Sequence, residues 1–147
     1  MIEIKIHRLD DNYDIPLPRY MSSGASGMDL YAAVTEPVTI QPKNFDIIPL
    51  GIKIAVPDGY EAQIRPRSGL AARNGIGLLN SPGTIDSDYR GEIKVIMFNF
   101  GDKPFTINRG DRIAQMIIAQ VIKVRLMKTD DLDDTQRGSG GFGHTGV

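Results

Sequence analysis

The stretch M-I-E-I-K-I-H-R (residues 1–8) sets Ile2, Ile4 and Ile6 at alternate positions, with Glu3, Lys5 and His7 between them. Successive side chains of an extended strand point to opposite faces, so this is one apolar and one polar face. The same period of two recurs at Val38 to Ile40, Asp46 to Val56, Tyr60 to Arg65, Ile76 to Leu79, Glu92 to Phe98, Phe105 to Ile107 and Ile113 to Val124. Turn-forming groups separate these runs: Glu36-Pro37, Gln41-Pro42-Lys43-Asn44, Pro57-Asp58-Gly59, Gly101-Asp102-Lys103-Pro104 and Asn108-Arg109-Gly110. Many short strands at this spacing predict an all-β sandwich, jelly roll or barrel. Only Ser68 to Asn74 reads as a helix, with Ser68 as its N-cap and Gly75 beyond its end.

The totals bound the rest. With 147 residues, 41% of them hydrophobic, the chain can build one packed core. Its net charge of -1 argues against a general nucleic-acid or membrane-surface binder. Without cysteine there are no disulfides and no thiolate metal sites. The alternating start lacks the basic and continuous apolar segments of a signal peptide, so a soluble cytoplasmic protein is expected.

From Lys128 onward K-T-D-D-L-D-D-T-Q has no core face, which predicts a compact domain over residues 1–127 and a flexible arm over 128–147. The arm ends in R-G-S-G-G-F-G-H-T-G (137–146), five glycines in ten residues around one cation, one ring and two hydroxyls. Glycine-rich backbone is costly to order, yet it presents amides to an anion, and Arg137 offers a fork for phosphate oxygens. The segment is either a plain tail or a lid that orders over a nucleotide. Its G-x-G-x-x-G is not a dinucleotide fingerprint, because no helix follows it. About twenty residues reach at most ~60–70 Å, so the arm can close over its own subunit or a neighbour.

Four other segments are unusually polar for their places. Arg67, Ser68 and Gly69 open the helix, where free amides suit a phosphate or simply receive a serine cap. Asp86 and Asp88 lie two residues apart in a turn-rich hairpin from Asn80 to Gly91, on one face if alternation persists; a carboxylate there can serve as general base. Asp29 stands alone among small and apolar residues, and Gln115 interrupts an apolar strand. Arg112 with Asp111 reads as a structural ion pair. His7 and His144 make no metal-ligand spacing.

S-G-M-D-L (26–30), P-R-S-G-L-A (66–71), N-S-P-G-T-I-D-S-D-Y-R-G-E (80–92), R-I-A-Q-M (112–116) and the glycine arm together resemble, in order and spacing, the five motifs of the trimeric dUTPase family. A dCTP deaminase would share the architecture, but S-D-Y and the ring-bearing arm favour the dUTPases. The resemblance implies a distorted jelly roll, a homotrimer with active sites at subunit interfaces, and Mg²⁺-assisted hydrolysis of dUTP to dUMP and pyrophosphate. Asp86 matches the catalytic aspartate. Asp29 matches the position that meets magnesium through bound water, and Arg67, Ser68, Gly69 and Gln115 the phosphate contacts. Asn80, Thr84 and Ile85 would read the base, Tyr89 would lie against the sugar, and Lys94 would touch the substrate from the returning strand. In the arm, Arg137 would meet the γ-phosphate, Ser139 and Thr145 would assist, and Phe142 would stack on uracil.

Overall fold

The computed structural model describes residues 2–144. Strands β1 (Lys5–Arg8), β2 (Arg19–Tyr20), β3 (Met28–Tyr31), β4 (Val38–Ile40), β5 (Phe45–Pro49), β6 (Ile52–Ala55) and β7 (Tyr60–Pro66) precede the helix α1 (Ser68–Asn74). After it come β8 (Ile76–Leu78), β9 (Gly83–Ile85), β10 (Lys94–Asn99), β11 (Phe105–Ile107) and β12 (Arg112–Gln120). A five-stranded sheet runs β2-β3-β12-β7-β9, a three-stranded sheet β5-β10-β8, and β1–β6 and β4–β11 form two-stranded ribbons. Every ladder is antiparallel, and neighbours are mostly distant in sequence. Among the described residues no sheet closes on itself, so the jelly roll is a sandwich and not a closed barrel.

The period of two builds its core. Val95, Met97 and Asn99 of β10 point inward, as do Ile52 and Ile54 of β6 and Ala62 and Ile64 of β7. All but Asn99 join Leu30, Ile48, Ile93 and Ile107 in one apolar cluster. The buried Asn99 amide donates to the carbonyls of Ile40 (2.9 Å) and Lys103 (2.8 Å), and its oxygen accepts the Gly101 N–H at 3.0 Å.

Several boundaries differ from the sequence reading. The run Asp46 to Val56 breaks at Leu50–Gly51, where Gly51 takes φ +65° and packs so closely on Asn12 that a β-carbon would lie 2.6 Å from its Cγ. Alternation continues through that corner and conceals it. The first strand starts at Lys5, and Ile2 and Ile6 remain exposed. β12 stops at Gln120, opposite the first residue of β7, and Ile122, Val124 and Leu126 beyond it are 84%, 76% and 92% exposed. Ser68 does not cap α1: Arg67 occupies the N-cap position without a side-chain bond, and Ser68 is the first helical residue. Gly75 ends the helix at φ +65°, as expected.

Candidate active site

The expected site residues of the compact domain fall into two groups that share no residue. The first lines a hollow of about 480 Å³ and contains Asn80, Thr84, Ile85, Asp86, Tyr89 and Lys94. Its floor comes from β9, paired on the edge of β7 with Thr84 opposite Gln63. The strand ends at Ile85, and Asp86 to Tyr89 form a turn closed by the Tyr89 N–H donating to the Asp86 carbonyl at 3.2 Å. A turn replaces the strand here, and Asp86 lines the hollow while Asp88 does not. The two carboxylates border a neighbouring depression together with Asp58, whose carboxyl is held below the usual range by a hydrogen bond from Lys123.

The Tyr89 hydroxyl donates to the Glu92 carbonyl at 2.9 Å, fixing the ring across Gly91. A β-carbon at Gly91 would collide with that hydroxyl, so the close approach requires glycine. The Glu92 carboxylate accepts the Gly51 N–H at 3.2 Å and lies 3.7 Å from Lys94 Nζ. Glu92 therefore orders one wall of the hollow, a role the sequence reading did not assign. Ile47 and Ile96 add apolar surface.

The second group sits where β3, β12 and the start of α1 meet. Gln115 is the register partner of Asp29 on β3 and of Arg65 on β7. Asp29 is gripped by two guanidiniums, with Oδ1 3.4 Å from Arg67 Nε and Oδ2 3.1 Å from Arg112 Nη1. Arg67 Nη1 also donates to the Arg112 carbonyl at 2.8 Å. Arg112 thus pairs with Asp29; Asp111 instead accepts the Asn108 N–H at 2.7 Å, which corrects the expected Asp111–Arg112 pair. Gln115 finds its partner in the Pro66 carbonyl, 2.9 Å away, and so braces the turn into α1. Ser68 is exposed and Gly69 partly so beside this cluster. Two cations against one carboxylate leave an excess of positive charge, the balance that suits a phosphate chain.

The hollow and the arginine cluster share no lining residue. The arm joins neither. Arg137 Nε donates to the Gly140 carbonyl at 2.8 Å, Ser139 is exposed, and Phe142, at φ +50°, is fully exposed. Thr145 lies outside the described residues. Sequence reasoning also missed Arg109, whose guanidinium holds both carboxylate oxygens of Asp14 at 2.8 Å and reaches the carbonyls of Asp11 and Val34. That hydrogen bond lowers the Asp14 carboxyl and raises Arg109.

Among the described residues no three His, Cys, Asp or Glu side chains gather as a metal cage, and no helix is long and apolar enough to cross a membrane. The donors present suit a cation that arrives on phosphate oxygens and keeps its waters, with Asp29 as an acceptor for such a water.

A dUTPase family profile matches residues 13–146. The chain is 59% identical to the deoxyuridine 5'-triphosphate nucleotidohydrolase of Caldanaerobacter subterraneus subsp. tengcongensis, covering 99% of each chain. It is 55% identical to the protein of that name from Neorickettsia sennetsu, over 97% of this chain and 96% of the relative. Among solved structures, a dUTPase variant of Staphylococcus bacteriophage 80alpha with dUpNHpp superposes with a TM-score of 0.88 at 20% identity, covering both chains fully. A dUTPase variant from phage phi11 of S. aureus, described with a structural Mg(II) ion, gives 0.78 at 18% identity, over 88% of this chain and 98% of that one.

Proposed function

The chain belongs to the dUTPase family, and on that premise we propose that it hydrolyses dUTP to dUMP and pyrophosphate, with Asp86 activating the water that attacks the α-phosphorus. Such a reaction supplies the precursor of dTMP and keeps uracil out of DNA. The observation that carries the reading is the placing of Asp86 in the same hollow as Asn80 and Tyr89, where a base and a sugar would bring the innermost phosphate beside one carboxylate.

The chemistry follows from these residues. The Asn80 amide and nearby backbone suit the acceptor–donor–acceptor edge of uracil, and mispaired polar groups with cytosine would discriminate by ~10⁴–10⁵. Tyr89, locked to Glu92, walls off the 2′ side of the sugar. Asp86 accepts a proton from water as that water's oxygen approaches phosphorus and pyrophosphate departs. Arg67, Ser68, Gly69 and Gln115 would hold the phosphates, and Asp29 a water on the Mg²⁺ that accompanies them. When bound, the cation would supply charge neutralisation on the phosphate oxygens that these residues hold.

The separation of hollow and arginine cluster supports sites completed between copies in a homotrimer. So does the uncovered alternation Ile122, Val124, Leu126, since a free chain gains nothing by exposing it. We assign the compact domain to 1–127 and the closing arm to 128–147, with Arg137 on the γ-phosphate, Ser139 and Thr145 assisting and Phe142 over uracil. Closure would exclude water from side reactions and complete the phosphate clamp. The absence of any long apolar helix among the described residues is compatible with a cytoplasmic enzyme. The test is direct: folded full-length protein given dUTP and Mg²⁺ should release pyrophosphate, and no release would reject the reading.

A further inference from the structure

On the ribbon β1–β6, register pairs Lys5 with Ala55 and His7 with Lys53 on one side, while Ile6 and the buried Ile54 pair on the other. An open depression of about 250 Å³ lies there; its surface is mostly apolar, and Lys5, His7, Lys53 and Arg90 stand around it. No carboxylate lines it, although the chain as a whole carries one more acid than base. Among the described residues none of the four basic side chains has an ion-pair partner. His7 and Lys53 are direct cross-strand neighbours, so their side chains stand side by side on this face.

Arg90 connects this depression to the turn carrying Asp86. Its Nη1 donates to the carbonyls of Ser87 (2.7 Å) and Tyr89 (2.8 Å), which uses both hydrogens on that nitrogen. The Nε–Nη2 edge makes no hydrogen bond among the described residues, and it has the geometry of a two-pronged phosphate clamp. An adjoining hollow shares Lys5 and Arg90 and carries Glu3, Asp58 and Asp88, which repel an anion on that side and favour the Lys53–His7 end.

We infer that Lys5, His7, Lys53 and Arg90 form a second anion site, separate from the active site, for a phosphoanhydride: free pyrophosphate or the tail of a nucleoside triphosphate. Three permanent cations with a free guanidinium edge match the charge of two linked phosphates. Occupancy would secure Arg90 and, through Ser87 and Tyr89, stiffen the Asp86–Tyr89 turn.

Calorimetric titration of the full chain with pyrophosphate tests this without requiring turnover. Wild type should show two sites per chain, Arg67→Ala should keep this one, and the Lys5→Ala/Lys53→Ala double variant should weaken it at least about tenfold. Lys53→Glu, which gives His7 and Lys5 an opposite charge, should abolish it while keeping the fold. In the Arg67→Ala background, pyrophosphate should slow amide exchange across residues 86–90. Titration with ATP identifies the source: binding lost in the double variant means the triphosphate tail suffices, and binding by pyrophosphate alone means the free anion is selected. Pyrophosphate binding unchanged by both lysine variants would overturn the inference, whatever the outcome with dUTP.

Discussion

Replacing Gly91 by alanine should damage the nucleoside hollow far more than the fold. A β-carbon there would lie 2.5 Å from Tyr89 Cζ and 3.0 Å from Cε2, where carbon contacts relax near ~3.5–4.0 Å. The ring must retreat by roughly 1 Å, a displacement able to cost about 10²-fold when it misplaces a substrate wall. It also forfeits the bond to the Glu92 carbonyl, worth about 1 kcal/mol net at a partly exposed site. At about 2–4 °C per kcal/mol for a domain of this size, Tm should fall by only a few degrees. Steady-state kinetics on dUTP should show kcat/KM reduced about 10–100-fold. Tyr89→Phe, which keeps the ring and loses only the hydroxyl, should lose about tenfold or less. Gly91→Ala within twofold of wild type would refute the claim that this contact sets the sugar wall.

Asp86→Asn should bind a non-hydrolysable dUTP analogue about as well as wild type while losing most turnover; near-normal turnover would mean another group is the base. Deleting residues 137–147 should leave a folded assembly that turns over slowly, and unchanged kinetics would reduce the arm to a tail. Because Arg109 lowers the Asp14 carboxyl, the stabilisation from that pair is complete above the ordinary aspartate range near ~4 and is lost as pH falls through the depressed value. Asp14→Asn should therefore flatten the acid limb of Tm against pH relative to wild type; an identical acid limb would show the pair is thermally silent.

Wherever one face of a strand meets the core, alternation was legible: Val38–Ile40 and Phe105–Ile107 form as read, and the helix spans Ser68–Asn74. It failed at corners and ends. Leu50 continues the apolar pattern through the bend at Gly51, and Ile122 and Val124 continue it past the last ladder partner. The short strand Met28–Tyr31 is held by a ladder to the distant Arg112–Met116, which no local period announces. The grouping of residues around the hollow was legible because its polar residues crowd one hairpin. Arg112 and Glu92 were not, since their partners Asp29 and Gly51 lie 83 and 41 positions away. An ion pair closed by folding has no signature along the chain.

Mixing two inactive variants tests most directly the proposal that each site is completed between copies. Asp86→Asn alters the hollow and Arg67→Ala alters the arginine cluster, two groups that share no residue. Unfolded together and refolded at equal ratio, the mixture should regain about a quarter of wild-type dUTP turnover, since random assembly unites an intact hollow with an intact cluster from another copy in half times half of the sites. Turnover no higher than that of the separate variants would contradict it and place both halves of each site in one chain.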